Sequence, residues 1–276
     1  MSRVAAVVVA LALSLVLWAC EQAAPTASPV AIGSVPGARP TEPVELTIFG
    51  ASSLRGALVA IADQFPTLYP GMTLTLTTDS STTLATQIGL GAQADVFLSA
   101  DTDNPRRLVA GGHTDGPPVP FATNPLVMVV AEGNPLAIKD SRDLARPGLR
   151  VLAAGPHVPI TRYATQLIEQ LARLPGYPPD FAASYEANIV SREENVAAVI
   201  AKMQLGAADA AIVYGSDASQ SIVEPVPLPD DVSVRATYEG VVLRRSLHPA
   251  AARWFLEWLV GPVGQQMLAD SSFGPP

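Results

Sequence analysis

From Val44 to the end of the chain, short apolar strands alternate with amphipathic helices, and this alternation constrains the fold more than any other feature. "VELTIFGA", "MTLTLTTD", "ADVFLSA", "LVMVVAEG", "RVLAAG", "AAIVYGS" and "TYEGVVLRRS" read as strands. Between them, "SLRGALVAIADQFPTLYP" places Leu54, Leu58, Ile61 and Phe65 at three- and four-residue steps, the spacing of one helix face. "STTLATQIGLGA", "NPRRLVAGG", "SRDLARPG", "ITRYATQLIEQLARL", "ENVAAVIAKMQLG" and the closing "PAAARWFLEWLVGPVGQQMLADSSFG" read as further helices. Such alternation implies α/β layers built on mostly parallel sheets. A chain of 276 residues that is 49% hydrophobic can bury one large core or two smaller ones.

In sheets of this kind ligands bind beyond the carboxyl ends of strands, where helices begin. Four junctions therefore matter: Gly50-Ala51-Ser52-Ser53, "TTDSSTTLATQ" (77–87), "GPHVPITRYA" (155–164) and "REENVAAVIA" (192–201). A fifth group, the phenol of Tyr214, stands at the end of the strand "AIVYGSDA". The first turn of a helix exposes unpaired N–H groups and a partial positive charge. Hydroxyls and small residues there suit a compact oxyanion, since they donate hydrogen bonds without adding a full charge. Taken singly, a serine at a helix start is most often only a cap.

Residues 1–19 read as an export signal: Arg3 opens it and an apolar run to Ala19 follows. Cys20 is the sole cysteine of the chain, so no internal disulfide is possible. "Leu17-Trp18-Ala19-Cys20" resembles a bacterial lipobox, which makes Cys20 the expected lipidation site and the membrane anchor. Residues 20–43, rich in Pro, Ala, Ser and Thr, then form the expected flexible linker. Removal of the leader with Arg3 takes the net charge from −8 to −9. No basic block is present, which argues against nucleic-acid binding.

From Val44 onward the chain resembles the molybdate-binding proteins of bacterial ABC transporters. The pieces that carry the likeness are "FGASSL", "SSTTLATQIGLGAQADVFLSAD", "LVMVVAEGNP", "GPHVPITRYA" and "ENVAAVIAKMQLGAADAAIVYGSDA", in that order. The resemblance implies two α/β lobes, each a mostly parallel sheet flanked by helices, with an anion between them. It implies lobe 1 over 44–122 plus 238–276 and lobe 2 over 123–237, with crossovers near Phe121–Asn124 and Ala236–Glu239. It implies ligand donors at Ser53, Ser81, the backbone of Ile160, the backbone of Val196, and Tyr214. It also implies molybdate or tungstate as ligand, an ABC permease as partner, no cofactor and no catalytic residue. Two departures from the family pattern stand out: Pro159-Ile160-Thr161 in place of Pro-Ala-Gly, and Tyr238-Glu239 in place of Tyr-Pro. A monomer is expected, since nothing in the sequence indicates a stable oligomer.

Molybdate at neutral pH is fully deprotonated, so a pocket made only of donors fits it, whereas hydrogen phosphate would leave its proton unpaired at a cost of about 1–3 kcal/mol. Sulfate, also an acceptor-only tetrahedron, is the alternative ligand and differs in size. A serine hydrolase using Ser53 is the remaining alternative, but the three histidines are His113, His157 and His248, and no G-x-S-x-G elbow surrounds any serine. "DTDNP" lacks the glycine and closing glutamate of a calcium loop, so Asp101 reads as a helix cap rather than a metal ligand. Arg162 could recruit a carboxylate ligand, although a solvated helix face is its simpler reading.

Overall fold

The computed structural model describes residue 40 and residues 42–276. The export signal, Cys20 and most of the expected linker lie outside the described residues. The described residues form one sheet of nine strands, eight of them on a single hydrogen-bonded path: β1 (Val44–Ala51), β2 (Met72–Asp79), β3 (Val96–Ser99), β4 (Val119–Val130), β5 (Val151–Ala154), β6 (Ile189–Glu193), β7 (Ala210–Tyr214), β8 (Glu224–Val226) and β9 (Arg235–Val242). Their order is β2-β1-β3-β9-β4-β7-β5-β6, with β8 paired to β4. Nine α-helices are described: α1 (Arg55–Leu68), α2 (Ser81–Gly89), α3 (Asp103–Ala110), α4 (Pro159–Ala172), α5 (Phe181–Ala187), α6 (Val196–Gln204), α7 (Gly215–Ser219), α8 (Pro249–Val260) and α9 (Pro262–Asp270).

Two parallel triplets form the halves of this path: β2-β1-β3 on one side and β7-β5-β6 on the other. Between them run β4 and β9, antiparallel to each other and to their outer neighbours. β4 changes partner along its length: residues up to Pro125 pair with β9, and Leu126 to Val130 pair with β7. These two strands are the crossovers, and they carry the chain between an α/β lobe on each side.

Parallel pairing also sets where the junctions lie. Ala51 is opposite Asp79 and Gly50 opposite Leu98, so the ends of β1, β2 and β3 come level. In the second half Ala154 is opposite Glu193 and Leu152 opposite Ala211, which levels the ends of β5, β6 and β7. Ser99 is opposite Glu239 on β9 and Leu126 opposite Tyr214. Both sets of carboxyl ends therefore converge on the middle of the crossover strands.

The apolar spacing of α1 buries Ala57, Leu58, Ile61 and Phe65. Gly50 permits the close approach of this helix to β1, because a Cβ there would stand 2.4 Å from Leu58 Cδ1. The closing helices return to this half. Phe65 and Tyr69 meet Trp254, Phe255 and Trp258 edge-on at centroid separations of 4.9–6.2 Å, and Trp258 Nε1–H donates to Tyr69 Oη at 2.7 Å. Burying a side chain of this size contributes roughly 1.5–3 kcal/mol.

Several elements differ from the sequence expectation. "SRDLARPG" forms a 3-10 turn over Ser141–Ala145, with the Asp140 side chain accepting from Arg142 N–H. α2 stops at Gly89, and Gly91 takes the left-handed conformation (φ 103°) that ends it. The strand expected to start at Leu126 begins at Val119, because its first half pairs with β9. β6, β8 and the short α5 and α7 have no counterpart among the elements expected from the sequence.

Candidate functional site

Each junction presents its groups for a local reason. After β1 the chain makes a 3-10 turn over Ser52–Leu54 before α1, and the residue that begins α1 lacks a side-chain cap. Ser80 precedes α2 and forms no side-chain cap bond either. The serines at these two helix starts thus do not act as caps. Ser81 Oγ instead accepts from Ala100 N–H at 3.0 Å. Since a backbone N–H can only donate, the Ser81 proton is left to point elsewhere. Ser53 Oγ lies 2.8 Å from Tyr238 Oη.

In the second half, Pro159 opens α4, and lacking an N–H it leaves that of Ile160 as the first at this helix start. Asn195 precedes α6 and its side chain accepts from Ala198 N–H, which leaves the N–H of Val196 outside the cap. Tyr214 ends β7 with only 1% of its surface exposed. Its Oη has no hydrogen-bond partner among the described residues. Burial, with Tyr238, Tyr163, Asp217 and Asp101 nearby, raises the Tyr214 pKa well above its ordinary value, so the phenol keeps its proton and is a neutral donor.

One cavity collects these groups. Its walls are Ala51, Ser52, Ser53, Ser80, Ser81, Ala100, Val158, Pro159, Val196 and Tyr214. It is a small cavity. No wall residue carries a charge. Four of the five expected site residues, Ser53, Ser81, Val196 and Tyr214, line it. Ile160 does not: its buried side chain lines a different cavity with Ala153, Ala154 and Ile212, and Val158 and Pro159 stand at the wall instead.

Three polar contacts bridge the halves around the cavity. Thr82 Oγ1–H donates to the His157 carbonyl at 2.6 Å, Asn195 Nδ2–H donates to Asp79 Oδ1 at 3.0 Å, and Arg162 pairs with Asp103. Arg162 also donates to Tyr163 Oη at 3.1 Å, so its guanidinium is held away from the role of a carboxylate receptor. Asp101 accepts from Asn104 N–H at 3.1 Å and thereby caps α3. His157 is exposed, and among the described residues no histidine ring is hydrogen-bonded to Ser52 or Ser53.

Of the wall residues only Ala100 lies outside the junctions and the strand end read from the sequence, and Asn124, behind the wall, was missed as well. Asn124 is fully buried on β4. The available signal was an amide inside the otherwise apolar run "FATNPLVMVV", since buried polar groups need partners.

Residues 46–274 match the family model of the bacterial extracellular solute-binding proteins. The chain belongs to that family. The "Molybdate-binding protein ModA" of Mycobacterium tuberculosis (strain H37Rv) is 37% identical to this solute-binding protein over 262 residues, covering 94% of this chain and 93% of its own, which places the chain in the ModA family. Among solved structures, the periplasmic molybdate-binding protein of Azotobacter vinelandii superposes with a TM-score of 0.71 at 24% identity, covering 84% of this chain and 99% of its own. The sulfate-binding protein SubI of Mycobacterium tuberculosis superposes with a TM-score of 0.74 at 20% identity, covering 84% of this chain and 87% of its own. These two likenesses establish the two-lobe periplasmic-binding-protein fold for this solute-binding protein. They do not discriminate its ligand.

Proposed function

We propose that this solute-binding protein captures molybdate, and tungstate with it, outside the cytoplasm and delivers the oxyanion to an ABC permease without chemical turnover. The observation that carries this reading is the unpartnered Tyr214 Oη, buried beside Ser53, Ser81 and the start of α6 around a cavity with no charged wall. A buried hydroxyl without a partner costs about 1–3 kcal/mol, and a guest that accepts its proton removes that cost. The name and coverage of the 37%-identical relative support molybdate over sulfate.

In this reading Ser53 and Ser81 donate through hydroxyls, Ile160 and Val196 through backbone N–H groups, and Tyr214 through its phenol. The lobes divide as residues 44–122 with 238–276, and 123–237. In this reading the lobes open and close about β4 and β9 to admit and hold the guest, and the permease reads the closed form. Neutral donors hold a dianion on a protein of net charge −8 because helix ends act at contact distance while surface carboxylates are screened. Cys20 carries the lipid anchor, and the protein works as a monomer.

Calorimetric titration with molybdate, tungstate, sulfate, phosphate and acetate tests the assignment. Saturable one-to-one binding of molybdate and tungstate, with sulfate at least about 100-fold weaker (about 2.7 kcal/mol), is expected. Tighter sulfate than molybdate would reassign the site to sulfate.

A further inference from the structure

Behind the cavity wall lies a hydrogen-bonded chain whose polarity can be counted atom by atom. Ser216 N–H points at Asn124 Oδ1 at 3.3 Å. A backbone N–H can only donate, so this contact fixes which end of the Asn124 amide is oxygen. The Nδ2 of Asn124 then faces two hydroxyls, Ser216 Oγ at 2.8 Å and Tyr238 Oη at 3.2 Å, and has one hydrogen for each. Tyr238 Oη accepts from Asn124, and its other hydrogen-bond neighbour is Ser53 Oγ at 2.8 Å. Tyr238 is fully buried, so its own proton must go to Ser53 or remain unpaired in the interior. The Tyr238 phenol keeps that proton, because burial raises its pKa well above the ordinary value. Ser53 Oγ therefore accepts from Tyr238, and the Ser53 proton is turned toward the cavity.

We propose that Asn124 and Tyr238 are positioning residues that fix Ser53 as a donor and so set the preference of the site for fully deprotonated oxyanions. This rests on the oxyanion-binding reading above. The two serines reach the same polarity by different routes. Ser81 receives a backbone N–H from Ala100, which no side-chain substitution can reverse. Ser53 receives a side-chain proton, and its polarity depends on what occupies positions 124 and 238. Tyr238 also packs edge-on against Tyr214, with ring centroids 5.8 Å apart, so it steadies the phenol as well as the serine. Both positioning residues sit on the crossover strands, Asn124 opposite Ala236 and Tyr238 opposite Ala122. Closure about these strands and orientation of the Ser53 proton are thereby tied to the same side chains.

With Tyr238→Phe, Ser53 loses its incoming proton and becomes free to accept one from a protonated guest. The test compares molybdate, which has no proton to give, with hydrogen arsenate, a protonated tetrahedral anion. Dissociation constants for both are measured at neutral pH by calorimetry or competition for wild-type and Tyr238→Phe protein. Molybdate is expected to weaken by about tenfold, the scale of one hydrogen bond. Hydrogen arsenate is expected to weaken less or to tighten, so that the selectivity ratio falls. Asn124→Ala withdraws the donor from Tyr238 and is expected to shift the ratio in the same direction. It carries the comparison alone if circular dichroism shows that Tyr238→Phe does not fold. Equal weakening of both anions, or no change in either, overturns the inference. A wild-type protein that binds neither anion overturns the oxyanion reading on which it rests.

Discussion

The two halves of the sheet bring different donors to the same cavity. The first half, through the ends of β1 and β2, contributes side-chain hydroxyls, Ser53 and Ser81. In the proposed reading the second half, through the starts of α4 and α6, contributes backbone N–H groups, and adds the phenol of Tyr214 from the end of β7. A hydroxyl donor is tied to residue type, whereas a backbone donor is tied only to where a helix begins. The halves should therefore respond oppositely to mutation: the first sensitive to side-chain identity, the second tolerant of it except at Tyr214.

The largest effect is expected from the pair Ser53→Ala with Ser81→Ala. Two hydrogen bonds to a charged guest contribute about 1.5–3 kcal/mol each, so molybdate affinity should fall by at least about 100-fold in a calorimetric titration. Retention of near-wild-type affinity would mean that the first half is only scaffold. Tyr214→Phe is expected next, with affinity lower by about tenfold and the ligand-free protein more stable by about 1 kcal/mol, because an unpartnered buried hydroxyl is removed. Denaturant melts with and without molybdate read both signs at once. Arg162→Ala, which breaks the bridge to Asp103, should speed molybdate release about two- to fivefold in stopped-flow, the size of a pair exposed to solvent. The smallest effect is expected from Val196→Ala, within about threefold of wild type, since its N–H survives the change.

A pH measurement sharpens the comparison from the second half. Burial pushes the Asp217 carboxyl up to about 7 from its ordinary value of 3.8, and its Oδ2 has no partner among the described residues. The folded form thus holds a proton that the unfolded chain releases between pH 3.8 and about 7. Stability contributed by this proton is full below that window and is lost as pH rises through it. Melting temperatures of ligand-free protein should fall across the window, and Asp217→Asn should flatten that slope. An unchanged slope in the variant would remove Asp217 from the account.

The sequence disclosed the α/β alternation and the two hydroxyl junctions because periodicity and residue type are local properties. It disclosed Tyr214 for the same reason, as a phenol ending an apolar strand. Ile160, expected as a backbone donor, is not among the residues lining the cavity, whereas its neighbours Val158 and Pro159 are. The sequence did not disclose the partner exchange of β4, which depends on β9, more than a hundred residues later in the chain. Asn124 and Tyr238 were out of reach together, because their contact exists only once those two strands pair. Glu239 lies 3.8 Å from Arg106 through Oε1, while its buried Oε2 has no hydrogen-bond partner among the described residues.

The central claim is that uncharged donors, not cationic side chains, hold the anion. The most direct test is the molybdate dissociation constant of wild-type protein as sodium chloride rises from about 0.01 to about 1 M, which shortens the Debye length from about 30 to about 3 Å. With neutral donors at contact and a net charge of −8 at a distance, the affinity should stay level or tighten, since screening weakens only the repulsion. A steady loss of about tenfold or more over that range would show that a cationic group carries the binding, and would contradict the account.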